Sequence, residues 1–296
     1  MSGATGVVGR RVVPLLVSAG HDVVAAVRSD VSAKLAGELG ATPRRTDLFQ
    51  LGDVRAAVRG SDAVINLATS IPPSNRAALP WSWRENTRIR REGSRVVSEA
   101  AIAEGVGRYV QESFAPIYED AGSEWIDESA PVRTTSHTHA VLDAEAAVAR
   151  YRSALPAGCG IVLRFALFYG PDSDFSRDML AGARRGIAMA FGSPDGYVSS
   201  LSHDDAASAV IAALSAPSGT YNVADDEPVT RRAYFEELAR VAGGPPPRFP
   251  PQFIGKLLGS IGDILMRSQR ISNRRFRSAT GWRPVYPSVR EGFASL

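Results

Sequence analysis

Three glycines open the chain at a spacing suited to phosphate chemistry: Gly3-Ala4-Thr5-Gly6-Val7-Val8-Gly9. Glycine permits a tight strand-to-helix turn, and without a Cβ it lets a diphosphate approach the backbone. Thr5, Val7 and Val8 then lie at a helix amino end, where free N–H donors and the helix dipole favour an anion. A strand ends about 20 residues later, where the ribose of a dinucleotide would sit. NAD sites place a carboxylate there, but this chain has Val27-Arg28-Ser29. A guanidinium can fork onto a 2′-phosphate, so Arg28 and Ser29 favour NADP, with NAD possible, over a plain surface arginine.

The elements that must position this turn follow from hydrophobic periodicity. Val12, Val13, Leu15, Leu16 and Val17 predict a helix packed on a sheet, with Pro14 breaking the local rule. Asp22 to Val27, Ala63 to Leu67, Arg108 to Glu112 and Gly160 to Phe168 read as strands. Ser32 to Leu39, Glu92 to Glu104 and Ala140 to Tyr151 read as helices between them. Alternating strands and helices imply parallel βαβ units and an α/β fold with a doubly wound sheet. Residues 1–168 are expected to form the nucleotide-binding unit. Residues 169–296, with helices at Asp204 to Leu214 and Arg231 to Ala242, form a smaller lobe partly interleaved with it.

Composition narrows the class. The 296 residues are 44% hydrophobic and 22% charged, which excludes disordered and fibrous chains. No apolar run approaches the roughly 18 residues of a membrane helix and no signal peptide precedes the glycines, so a cytoplasmic protein without a membrane partner is expected. A single cysteine, Cys159, excludes a disulfide framework, and no metal site is expected. Net charge is +3, and Lys34 and Lys256 are the only lysines. The arginines at 267, 270, 274, 275 and 277 read as a solvated helix face, and no nucleic-acid motif accompanies them.

Taken together, these residues resemble the extended short-chain dehydrogenase/reductases, especially the NAD-dependent epimerase/dehydratase branch, whose fold is Rossmann-type. The resemblance runs over nearly the whole chain. Gly3 to Gly9 is similar to the family's nucleotide turn, Asp47-Leu48 to its adenine-contacting pair, and Asn66-Leu67-Ala68 to its cofactor-side motif after the fourth strand. Leu163-Arg164 through Tyr169-Gly170-Pro171, Leu201 to Asp205, Thr220 to Val223 and Glu227 to Thr230 are similar to its later segments. The family has a central strand before the glycine turn. Here only Met1-Ser2 precede it, so the first β-strand is apparently missing and a start upstream, or truncation, is expected.

The catalytic residues depart further. Family members use a Ser/Thr and a Tyr-x-x-x-Lys pair to move a proton, with the lysine lowering the tyrosine pKa. Here the resemblance puts Phe114 at the Ser/Thr position beside Ser113, His137 at the tyrosine and Val141 at the lysine. Neither lysine has a tyrosine four residues earlier. His137 can act as acid or base without a lysine, or simply fill the helix start, as His139 can. Ser113 is the second catalytic expectation, and Glu112 and Glu119 flank it. Trp81, Trp83, Tyr118 and Arg164 are expected at the substrate, each with a packing alternative. The chain is expected to be an NAD(P)-dependent oxidoreductase or epimerase/dehydratase-like enzyme for a small carbonyl or hydroxyl substrate, as a monomer or oligomer. The alternative is a non-catalytic NAD(P)-binding sensor or assembly protein.

Overall fold

Helix α1 (Gly9–Ser18) buries Gly9, Val12, Val13 and Leu16, a stripe of i, i+3, i+4 and i+7 positions facing the sheet. Pro14 lies inside it, half-buried, and removes one backbone donor without ending the helix. Strand β1 (Val24–Val27) leads to α2 (Asp30–Glu38), which Ser29 and Ser32 start with a reciprocal capping box. Strand β2 (Thr42–Arg45), which periodicity missed, has four exposed side chains and a proline, the composition of a sheet edge. Helix α3 (Leu51–Val58) and strand β3 (Ala63–Asn66) follow. The computed structural model describes every residue except Ala78 and Met189, and of Gln252 the backbone alone.

After the Pro72-Pro73 loop, α4 (Arg84–Arg88) runs through one wide π turn, Ile89–Gly93, into α5 (Ser94–Ala103). Periodicity had placed one helix from Glu92, and the π turn is what lengthens it toward Arg84. Strand β4 (Arg108–Phe114), α6 (His139–Ala154) and β5 (Cys159–Phe165) complete this half. The expected single strand to Phe168 is broken after Phe165. Leu167–Tyr169 instead pairs with Ser200–Ser202 and carries the chain into the lobe. There follow α7 (Asp174–Ala183), α8 (His203–Ala213), β6 (Gly219–Val223), α9 (Arg231–Ala242), α10 (Gln252–Leu257), α11 (Gly259–Met266) and α12 (Arg274–Thr280).

All main strand pairs are parallel, in the order β3-β4-β5-β6 with β1-β2 alongside. Met1 and Ser2 join the two parts. Ser2 bridges Ala26 on one side and Asn66 on the other, its N–H donating to Ile65 O at 2.9 Å and its O accepting from Leu67 N at 3.2 Å. Ser2 thus lies at the place of the central strand, directly before the glycine turn. One face of the sheet packs Val54, Val96, Val97, Val148 and Tyr151, and the other packs Val12, Val13, Ala206, Val210 and Phe276. This is the expected Rossmann-type, doubly wound α/β sheet. Met179, Tyr234, Phe235 and Phe293 form a separate cluster in the C-terminal lobe.

The arginine-rich tail is only in part the solvated face that composition suggested: Arg274 and Arg275 on α12 are exposed, the others less so. Arg267 is 3% exposed and donates to Tyr118 O at 2.9 Å and Arg133 O at 2.7 Å. Arg270 lies over the Trp125 and Tyr197 rings, Arg275 over Tyr221, and Arg277 pairs with Asp226. Charge tallied along the chain cannot show that a guanidinium has carbonyls and rings waiting for it from distant segments. Replacing Arg267 by leucine takes the donor from Arg133 O, at about 1–3 kcal/mol, while Tyr118 O keeps Gln269 Nε2 as a donor at 2.7 Å. Urea unfolding of Arg267→Leu should show that loss, and an unchanged midpoint would contradict it.

Candidate functional site

The glycine turn sits where the order of strands reverses, the crevice in which doubly wound sheets hold their ligands. Its three glycines have three different reasons. Gly3 has φ +73°, and a Cβ there would lie 2.6 Å from Leu67 C and O. A Cβ on Gly9 would lie 2.0 Å from Gly3 O. Both glycines are therefore demanded by the protein's own packing. Gly6 is exposed, and its Cβ would meet only Gly3 O, at 3.4 Å. The open face at Gly6 is the one a diphosphate would use. Val7 and Val8 N–H donate to no atom among the described residues, so two helix-end donors are available there. The residues present fit a dinucleotide.

The other expected cofactor residues surround this turn. Leu67 and Ala68 form its opposite wall, through the contacts at Gly3. Asn66 is buried and committed. Its Nδ2 donates to Gln111 Oε1 at 2.8 Å and Ser94 Oγ at 3.3 Å, while its Oδ1 accepts from Ser2 Oγ and from Ala68 N. Asn66 therefore ties the strand ends together, and the backbone beyond it faces the crevice. Arg28 is exposed at the tip of β1 with no ion-pair partner among the described residues, whereas the Ser29 hydroxyl is occupied in capping α2. Asp47 is exposed, with Oδ1 accepting from Phe49 N at 2.9 Å, and Leu48 is half-buried beside it.

The expected catalytic and substrate residues separate into two groups. Ser113 Oγ donates to Glu145 Oε1 at 2.6 Å, and Arg164 clamps the same carboxylate at 2.8 and 2.7 Å. Arg164 Nη1 donates to the Tyr118 hydroxyl at 2.8 Å, which donates to Asn222 Oδ1 at 2.7 Å. Burial opposes the Arg164 charge, but Glu145 outweighs it and holds the guanidinium above its ordinary range. Burial pushes the Tyr118 phenol up to about 12 despite Arg164. Ser113, Tyr118 and Arg164 thus form one buried chain from β4 to β6, closed by Glu145 of α6, which the sequence reading did not place in the site. A second pair went unread: Arg90, turned inward by the π turn, donates to Glu112 Oε1 at 2.6 Å. Burial raises the Glu112 carboxyl against the pull of Arg90.

His137 belongs to the other group. It is 7% exposed just before α6, Nδ1 meeting the hydroxyls of Ser136 and Ser260 and Nε2 having no partner among the described residues. Burial holds its pKa below the ordinary value. The Trp83 ring stands edge-on to it, centroids 5.4 Å apart, and donates Nε1–H to Ala77 O. Val141, one turn along α6, is 2% exposed. Trp81 is 60% exposed and His139 is exposed, its Nδ1 2.9 Å from Ser136 O. A groove runs past Trp83 and His137 along α4, lined also by Arg84, Thr87, Arg88 and Arg91. Arginines recurring at 84, 88 and 91 are the signal in the sequence that marks this face.

A family profile described as NAD(P)H-binding matches residues 3–154. The chain belongs to that NAD(P)H-binding family. A 3-diazoavenalumate denitrifying reductase from a Streptomyces species is 33% identical over 99% of this chain and 97% of its own. Among solved structures, the fold is similar to a UDP-glucose 4-epimerase from Thermus thermophilus in complex with NAD. The TM-score is 0.78 at 23% identity, over 99% of this chain and 96% of that one. It is also similar to the human epimerase family protein SDR39U1 with NADPH, at TM-score 0.80 and 20% identity over the same shares. The fold is therefore the one that the resemblance to extended short-chain dehydrogenase/reductases implies, on a chain of the NAD(P)H-binding family. No helix among the described residues is long and apolar enough to cross a membrane.

The glycines separate folding from binding. Gly6→Ala should leave the melting temperature of the nucleotide-free protein within about 2 °C while weakening NADPH by at least about tenfold. Gly3→Ala should instead lower the melting temperature, and equal behaviour of the two variants would contradict the assignment. Stability should also depend on pH through His203. Burial holds its pKa below the ordinary value, although Asp172 Oδ1 lies 3.1 Å from Nδ1. The unfolded chain takes up the proton first, so stability falls as pH drops below about 6.5. Melting curves at pH 7.5 and 5.5 should show a smaller drop for His203→Asn than for the parent protein.

Proposed function

We propose that the protein is an NADP(H)-dependent reductase of a small electrophile, working without the tyrosine–lysine proton relay. The observation that carries this reading is the contrast between an intact nucleotide cradle and a relay helix with His137 and a buried Val141 where the pair would stand. The full-length relative named as a reductase supports the reaction class. The unpaired Arg28 at the end of β1 supports NADP as the cofactor.

When bound, the reduced nicotinamide supplies a hydride. An aromatic carbon bearing a cationic diazonium group, the charged form of the diazo group in the relative's name, suits a site without a relay. The C–N bond breaks with its electron pair leaving on dinitrogen, the hydride pair makes the C–H bond, and no proton has to be delivered. In this reading Leu67 and Ala68 wall the cofactor side, the Ser113–Glu145–Arg164–Tyr118 chain fixes the floor at the strand ends, and His137 borders the substrate. His137 is held neutral by burial, which suits a bordering group and not a proton donor at pH 7. A carbonyl substrate, by contrast, would need the His137 proton.

Two measurements test this. Absorbance at the reduced-nicotinamide band should fall when 3-diazo-4-hydroxycinnamate is added with NADPH, and His137→Gln should keep kcat within about fivefold, since a lost acid costs typically 10²–10⁴-fold. Loss beyond a hundredfold, or turnover of aldehydes alone, would contradict a reaction without proton transfer. NADPH bound with no turnover of any acceptor would favour the sensor alternative. Separately, Arg28→Ala should weaken NADPH at least about tenfold more than NADH, and equal losses would overturn the NADP assignment.

A further inference from the structure

The groove along α4 has the makings of a site for a charged ligand. Arg84, Thr87, Arg88 and Arg91 share one face of the helix at i, i+3, i+4 and i+7. Two of the three guanidinium groups have carboxylates near them: Arg88 lies 3.2 Å from Glu92, and Arg91 lies 3.4 Å from Asp143. Arg84 has no carboxylate partner among the described residues. At the inner end of the groove stand the Trp83 ring, half-buried and fixed by its bond to Ala77 O, and His137, 93% buried with Nε2 unpartnered among the described residues. A flat aromatic wall, a buried ring nitrogen lacking a partner and an unpaired guanidinium in one groove have complementary ligands. They suit a planar organic anion, ring on tryptophan and carboxylate on arginine.

We infer that this groove is the substrate subsite, and that it selects aromatic or conjugated carboxylates by pairing their carboxylate with Arg84 and stacking their ring against Trp83. The inference rests on the reductase reading for its use, but the selection is a property of the groove and is measurable without turnover. Binding of 4-hydroxycinnamate and of its uncharged methyl ester should be compared by calorimetry, with and without NADPH. The acid should bind at least about tenfold more tightly than the ester. Arg84→Gln, an exposed substitution, should bring the ratio to near one while NADPH affinity and melting temperature stay unchanged. Trp83→Leu should weaken acid and ester alike. Equal affinity of acid and ester, an unchanged ratio in Arg84→Gln, or binding of neither would overturn the assignment. Failure of NADPH itself to bind would overturn the reductase reading while the acid-to-ester ratio still judges the groove.

Discussion

The structure depends on how closely two pieces of backbone can approach just after Ser2, which bridges to Ala26 and Asn66. Gly3 lies against Leu67 and Ala68, and Gly9 lies against the carbonyl of Gly3. Any side chain at either position would push α1 away from the sheet and separate Ser2 from both neighbouring strands. Because Ser2 bridges β1 and β3, that contact bears on the alignment of the two parts of the sheet. It also points the free amides of Val7 and Val8 into the crevice. Fold and binding site are here consequences of one steric fact.

Beyond the turn, buried charge does much of the connecting. The chain from Ser113 through Glu145, Arg164 and Tyr118 to Asn222 crosses three strands and α6. Arg11 reaches from α1 to Asp172 and Asp204, while Asp172 also meets His203 at the start of α8. Burial works against the Asp172 carboxylate, yet Arg11 brings its pKa down to about 2. Breaking the Arg164–Glu145 pair singly leaves an uncompensated buried charge, whereas Asp204 is largely exposed and its pair with Arg11 is worth little. The contacts of Arg11 and Asp172 tie α1 to the start of α8, while His137 borders the groove along α4 together with Glu92 and the arginines at 84, 88 and 91.

Much of this was legible in the sequence, for identifiable reasons. Glycine spacing, alternating apolar strands and amphipathic helices are local properties, and α1, β3, β4 and α6 lie close to where periodicity puts them. At the place of the expected first strand, Ser2 makes single bridges to Ala26 and Asn66, which no periodicity could show. What was not legible depends on distant partners. Strand β2 is four exposed residues, the π turn that buries Arg90 adds a single residue to a helical pattern, and the carbonyls that hold Arg267 come from positions 118 and 133. Ser113, Tyr118 and Arg164 were singled out by resemblance, and the structure joins them to one another through Glu145. The arginines at 84, 88 and 91 went unread, though their spacing is that of one helix face, and only the fold sets them beside His137.

The central claim is that a hydride, unaccompanied by a relayed proton, reaches the substrate. Turnover with NADPH deuterated at nicotinamide C4, followed by mass spectrometry of the product, tests it directly. Products formed in ordinary water from one or the other labelled face should carry a single deuterium at the carbon that lost nitrogen, and products formed from unlabelled NADPH in heavy water should carry none there. Deuterium arriving at that carbon from the solvent would contradict the account.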